Sequence, residues 1–233
     1  MAYLRGMSLV LNPVATLRSA LPRKFGVPRQ SGLVPLLRSR IVFEPEYRNP
    51  DALRGLEGYS RLWLIWHFSQ GRTQVWSPTV RPPRLGGNRR MGVFATRSPF
   101  RPNPLGLSCV RIEAVRPDTP EGPVIEVSGA DLVDGTPIFD IKPYLPHIEA
   151  FPDAKAGFAG QVAGYALRVE VPDALRREVD PDYLAALEQL LAQDPRPSYH
   201  DDPDRVYGFT FLPYEARFRV EKGVAYLVEL LKI

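Results

Sequence analysis

Four stretches of the chain gather polar groups and turn formers more densely than core packing requires: Val27-Pro28-Arg29-Gln30-Ser31-Gly32, residues 81–90, residues 92–106, and Asp131-Leu132-Val133-Asp134-Gly135-Thr136-Pro137. Proline fixes the shape of a loop and glycine lets backbone come close to a ligand, so these loops suit a preorganised small-molecule pocket. Guanidinium groups crowd the same region. Arg72, Arg81, Arg84, Arg89, Arg90, Arg97 and Arg101 follow one another without an acidic residue between them. A planar guanidinium matches phosphate oxygens bidentately, so the cluster reads as a dock for nucleic acid or nucleotide, or else as the complement of an acidic half of the same molecule.

Several chemistries are excluded. The chain has no Gly-x-Gly-x-x-Gly, no Walker-type Gly-Lys-Ser/Thr, no His-Glu-x-x-His and no Gly-x-Ser-x-Gly elbow. Three scattered histidines, His67, His147 and His200, predict no metal site, and the lone Cys109 rules out a disulfide scaffold or a cysteine zinc cluster.

The elements that must hold these loops are mostly strands. Proline makes up 25 of 233 residues, roughly twice its usual share of ~5%, which argues against a helical bundle because each interior proline removes a helix hydrogen bond. Runs at 38–43, 60–68, 91–96, 107–115 and 124–128 predict strands of a barrel or sandwich; apolar alternation in 107–115 is imperfect and leaves its register open. Residues 49–58 predict one short helix, capped by Asn49 with Pro50 in its first turn. A linker follows at 151–160. Beyond it, 180–193 predicts a helix with Asp180 as cap, Pro181 at its first position and Leu184, Leu187, Leu190 and Leu191 on one face. An irregular loop at 194–200 and strands at 207–212, 215–220 and 224–231 complete the chain. The expected organisation is a β-domain over 1–160 and a small α+β domain over 161–233.

With 44% hydrophobic residues a core needs no staples, and no run approaches the ~20 apolar residues that span a bilayer. Arg5 and Pro13 interrupt the N-terminus before a signal-like core develops, so a cytoplasmic address is expected. The net charge of +4 hides an asymmetry: residues 1–116 carry 19 basic and 5 acidic groups, residues 117–233 carry 11 and 21. The first half is the one suited to phosphate.

The blocks Pro28-Arg29-Gln30, 81–88, 91–98, Phe100-Arg101-Pro102-Asn103-Pro104, 131–137 and Asp140-Ile141-Lys142-Pro143-Tyr144, continued by 191–197, resemble the TrmO (TsaA/YaeB-like) family of tRNA methyltransferases over nearly the whole chain. The resemblance implies an S-adenosylmethionine-dependent enzyme on a single-sheeted β-barrel, usually dimeric. It implies methylation of N6 of N6-threonylcarbamoyladenosine, next to the anticodon of threonine tRNA. The family's cofactor contacts fall on Pro28, Arg29, Gln30, Ser69, Gln70, Arg97, Leu107, Val133, Asp134, Gly135 and Thr136. Ser69 departs from the family, which has histidine there in enterobacteria; a contact made through backbone tolerates the change. Arg97 has the alternative of pairing with Asp134, and Leu107 that of core packing.

Methyl transfer from a sulfonium is an in-line displacement in which holding donor and acceptor at attack distance does most of the work. The threonylcarbamoyl group acidifies the N6–H, so a weak base suffices. Asp134, Asp140 and Tyr144 are the candidate catalytic groups, and no spacing separates them. For the tRNA, Arg84 and Arg89 suit anticodon-loop phosphates, and Arg101 or Lys142 suits the threonyl carboxylate. Lys142 has the alternative of pairing with Asp140 or Glu149. Arg196, set between two prolines, and Tyr199 make the second domain a tRNA-contacting module apart from the cofactor site. A non-catalytic RNA-binding or nucleotide-sensing barrel, or a related methyltransferase with another substrate, are the competing readings.

Overall fold

The computed structural model describes residues 9–70, 76–83, 89–161, 163–196 and 202–233. The first eight strands are β1 (Ala15–Ser19), β2 (Arg38–Phe43), β3 (Arg61–His67), β4 (Thr79–Val80), β5 (Met91–Gly92), β6 (Leu105–Arg116), β7 (Val124–Ser128) and β8 (Pro137–Pro143). β4 and β5 pair with each other, and the other six close into a barrel in the order β1-β2-β7-β6-β3-β8 with every neighbouring pair antiparallel. Strand periodicity explains the closure. On β3, Leu62, Leu64 and Trp66 are buried while Arg61, Trp63, Ile65 and His67 alternate with them outside. The inner set joins Leu17, Ile41, Val110, Ile125 and Ile138 in one core.

Two details fix the barrel wall. Gly106 lies opposite Trp66 in the β3–β6 ladder, and a Cβ there would sit 2.2 Å from the indole, so only glycine lets this ring cross β6. The β6–β7 register shifts between Ile112 and Ala114. Apolar alternation in 107–115 breaks because Leu107 and Cys109 lie on the outer side while Ser108 and Val110 are buried, and because beyond Ile112 the bulge's extra residue returns Val115 to the core side. Elsewhere the expected elements are revised. Only Met91–Gly92 of the 91–96 run is strand, and Val93–Ala95 is a 3-10 turn. The 49–58 helix is instead two 3-10 turns, Pro50–Leu53 and Leu56–Gly58, although Asn49 does cap the first by accepting the Asp51 N–H at 3.0 Å.

After two single turns, α1 (Pro146–Glu149) and α2 (Phe158–Gln161), come β9 (Arg168–Glu170), α3 (Asp173–Glu178), α4 (Pro181–Ala192), β10 (Tyr207–Phe211), β11 (Tyr214–Glu221) and β12 (Val224–Lys232). The sheet order is β10-β11-β12-β9, with β9 parallel to β12. α4 follows the expected pattern: Asp180 accepts the Tyr183 N–H at 3.0 Å, and Leu184, Leu187, Leu190 and Leu191 are buried. The fold is thus mainly β, a closed barrel followed by a small α+β unit.

The core of that second unit is shared with the first. Leu21, Val34 and Leu37, from the connection between β1 and β2, are buried in the same cluster as Leu187, Phe209 and Phe218. Gly26 in this connection has φ +100°, and a Cβ there would lie 2.4 Å from the Phe209 ring. Backbone links add to the seam: the Leu212 N–H donates to the Ala20 carbonyl at 2.8 Å, and the Leu36 N–H to Gln189 Oε1 at 3.2 Å.

Candidate functional site

Because the six barrel strands alternate in direction, the connections 20–37, 68–104 and 129–136 all leave from one end of the barrel. The cofactor-type positions inferred above lie in these three connections, with Leu107 two residues inside β6 at the same end. The connections are tied to one another. The Gly32 N–H donates to the Gly129 carbonyl at 2.8 Å, and the Gly129 N–H to the Leu37 carbonyl at 2.9 Å. In the 129–136 turn, the N–H groups of Asp134, Gly135 and Thr136 donate to the carbonyls of Leu21, Leu17 and Val133. The Ser19 N–H donates to Asp134 Oδ1 at 2.9 Å. The Val133 and Thr136 carbonyls are spent as well, on the Thr136 and Leu17 N–H groups, so over 134–136 the turn meets a ligand with the Asp134 and Gly135 carbonyls and with side chains.

Arg97 does not pair with Asp134. Its Nη1 donates to Gln30 Oε1 at 2.7 Å, while Gln30 Nε2 donates to the Arg29 carbonyl at 2.6 Å. Connections 20–37 and 68–104 therefore meet at an exposed guanidinium held by a carboxamide. Pro28 is buried. Arg29 turns toward the second unit, where its Nη2 donates to the carbonyls of Asp194 at 3.3 Å and Arg196 at 3.2 Å. Ser69 and Gln70 are exposed, and Leu107 is 49% exposed on the outer barrel face opposite Ile65.

A group that sequence reasoning did not single out sits beneath these loops. Trp66 Nε1 donates to Ser108 Oγ at 2.9 Å, and Ser108 Oγ donates to Asp131 Oδ1 at 2.5 Å. Burial pushes the Asp131 carboxyl above the usual carboxylate range, opposed by the Ser108 hydrogen bond, backbone N–H donors and the charge of Arg97. Ser31 completes the contact by accepting the Cys109 N–H on Oγ at 3.1 Å. This chain joins the barrel interior to the connection that carries Asp134. Asp131 opens the motif already quoted from the sequence, but only the closed fold shows that it, rather than Asp134, is the enclosed carboxyl.

The three proposed catalytic groups are not brought together. Asp134 lies before β8 and Tyr144 beyond it; the 7 residues of β8, rising ~3.3 Å each, put roughly 20 Å between the two ends. Tyr144 stands edge-on to Trp63 with ring centres 5.9 Å apart, and Trp63 Nε1 donates to Glu149 Oε1 at 2.9 Å. Asp140, within β8, pairs with Lys142 at 2.9 Å on the exposed barrel wall. The arginines proposed for tRNA also divide. Arg89 is exposed at the site end. Arg101 donates to the carbonyls of Val93 at 3.3 Å and Thr96 at 2.7 Å, holding the shape of its own loop, and lies 5.7 Å from the Phe94 ring centre. Arg196 is turned inward, paired with Asp194 at 2.8 Å with side chains 12% and 13% exposed. Burial alone would raise the Asp194 carboxyl, but hydrogen bonds from Arg196 and Tyr165 outweigh it and hold Asp194 below its ordinary range. Arg84 and Tyr199 lie outside the described residues.

Comparison with known proteins agrees with this geometry. The chain matches the tRNA-methyltransferase O N-terminal domain over residues 16–150 and the TrmO C-terminal domain over residues 167–233. It is 40% identical over 221 residues to the tRNA (adenine(37)-N6)-methyltransferase of Escherichia coli K12, covering 91% of this chain and 94% of that protein. It is 48% identical over 176 residues to the enzyme of the same name from Eikenella corrodens, covering 75% of this chain and 98% of that protein. A crystal structure of TrmO superposes with a TM-score of 0.76 at 31% identity, covering 97% of this chain and 100% of that one. With a barrel, a second unit and a sequence that all align with it, the chain belongs to the tRNA-methyltransferase O family.

Proposed function

We propose that this protein transfers a methyl group from S-adenosylmethionine to N6 of adenosine 37 in tRNA, with N6-threonylcarbamoyladenosine as the form of the base it accepts. The observation that carries this reading is the convergence of the cofactor-type segments 28–30, 69–70, 97 and 133–136 in three connections at one barrel end. The residues there fit the donor. Arg97 offers a guanidinium to a carboxylate, the turn offers the Asp134 and Gly135 carbonyls to an ammonium, and the half-exposed Leu107 offers apolar surface to a purine. When bound, S-adenosylmethionine supplies a methyl on a sulfonium, so that the new C–N bond forms as the C–S bond breaks and the N6 proton leaves.

The protein's part is to hold this geometry. Gln30 fixes the Arg97 guanidinium, and the ties among the three connections limit their movement, so the loops reach the reacting pair largely preorganised. Asp134 is the one of the three candidate bases that shares this end, and we assign it the N6 proton. Asp140 and Tyr144 stand on the wall and at the far end. The exposed Leu105 and Leu107, beside Ile65 on the outer face, also support pairing of two copies as a homodimer.

Three measurements check this reading. Purified protein with S-adenosylmethionine should methylate tRNA that carries threonylcarbamoyladenosine and leave the unmodified transcript unchanged, read by mass spectrometry of released nucleosides. Equal methylation of both, or of neither, contradicts the assignment. Arg97→Ala should keep its fold and weaken cofactor binding ~10–100-fold, the loss of a charge-assisted hydrogen bond of ~1.5–3 kcal/mol; an unchanged calorimetric titration refutes the role of Arg97. Sedimentation velocity should show a dimer that Leu105→Glu dissociates, and a parent protein that runs as a monomer at micromolar concentration defeats the pairing.

A further inference from the structure

A cleft of about 450 Å³ runs along the barrel wall where β1, β2 and β7 approach the site end, and Arg18, Arg38, Arg40 and Asp134 are among its lining. Strand pairing accounts for its charge. Arg18 lies directly opposite Arg40 in the β1–β2 ladder, and Arg38 follows on the same face of β2 two residues from Arg40, about 7 Å along the strand. Like charges set opposite each other across strands are destabilising; Arg40 is offset by Glu126, directly opposite on β7, and by Glu121, whereas the pairing gives Arg18 no partner.

Two of the three acidic groups in the lining are turned toward arginines outside it. Glu126 pairs with Arg116 at 3.4 Å. Glu113 accepts from Ser128 Oγ at 2.5 Å and pairs with Arg111 at 3.5 Å. Asp134 accepts the Ser19 N–H, and Arg40 is paired with Glu121. Among the described residues, no hydrogen bond or ion pair engages the side chain of Arg18 or Arg38. Two guanidinium groups are thus left without an ion-pair partner on a concave surface. Asp134 belongs both to this cleft and to the 129–136 connection, so the cleft opens directly beside the proposed methyl-transfer site.

We propose that the Arg18–Arg38 cleft is a site for the RNA backbone, holding phosphates that flank the target adenosine. It is separate from the basic 68–104 connection, and it rests on the reading that this protein acts on tRNA. Planar guanidinium groups on a rigid barrel wall position a strand without reading its sequence, which leaves choice of the base to the loops.

The test uses the full-length protein and an unmodified tRNA transcript, with binding followed by fluorescence anisotropy across a series of KCl concentrations. Arg18→Gln combined with Arg38→Gln should weaken binding ~10-fold or more at low salt. The slope of log K against log salt should become shallower by roughly 1.4–1.8, since each released phosphate contact contributes ~0.7–0.9. The double lysine variant should restore most of the slope. Calorimetric affinity for S-adenosylmethionine should match the parent and the Tm should not fall, because neither side chain carries a bond in the fold. A double glutamine variant with the parent's affinity and slope overturns the proposal, as does one that loses cofactor affinity while tRNA binding stays unchanged. If the parent itself binds no tRNA, the broader functional reading fails instead.

Discussion

The β1–β2 connection is held between two cores, and the rest of the site depends on that constraint. Its apolar residues Leu21, Val34 and Leu37 are buried in the core of the C-terminal sheet, while its flanking backbone is tied to the 129–136 turn at the end of the barrel. Gly26 admits the Phe209 ring against the backbone itself. A connection of 18 residues (20–37) between adjacent strands would, free in solvent, sample many shapes at a cost of order 1–2 kcal/mol per residue to fix one. Here the ordering is offset by burial, and Pro28, Arg29 and Gln30 are presented in a single arrangement.

This makes the C-terminal unit part of the scaffold of the loops at that barrel end. Arg29 reaches into it to bond the carbonyls of Asp194 and Arg196, whose own side chains form a nearly buried pair supported by Tyr165. The consequence for function is a division of labour. Under the proposed function, the barrel end and the C-terminal sheet hold the donor side, Arg97 links two loops through Gln30, and the Arg18–Arg38 cleft takes the RNA backbone. Asp131, enclosed beneath the loops and bonded to Ser108, couples the inner barrel to the same surface.

Much of this was legible in the sequence, and the failures have physical causes. The helix over 180–193 was readable because its cap, its proline and its leucine stripe all agree. β1 escaped notice because Ala15-Thr16-Leu17-Arg18-Ser19 points only two apolar side chains inward. β8 was hidden by prolines at both ends and by Asp140 and Lys142, whose charges sit on the outer wall. The segments picked out by their motifs are ones that gather at a single barrel end. Which carboxyl is enclosed, and which arginines are free, could not be read from them: Arg196 looks exposed between two prolines, yet Asp194, with φ +49°, turns the chain so that the pair is covered. Such outcomes depend on closure of the barrel and docking of the sheet, which bring together residues more than a hundred positions apart.

The most direct test of the account is the cofactor affinity of Gly26→Ala, measured by calorimetry on protein shown to be folded. Gly26 lies outside the proposed cofactor contacts, and its added methyl would meet both a positive φ and the Phe209 ring, displacing the connection from its seat. The account predicts a loss of S-adenosylmethionine affinity of at least ~10-fold, about 1.4 kcal/mol, together with a lowered Tm. A folded Gly26→Ala protein that binds S-adenosylmethionine as tightly as the parent would contradict it.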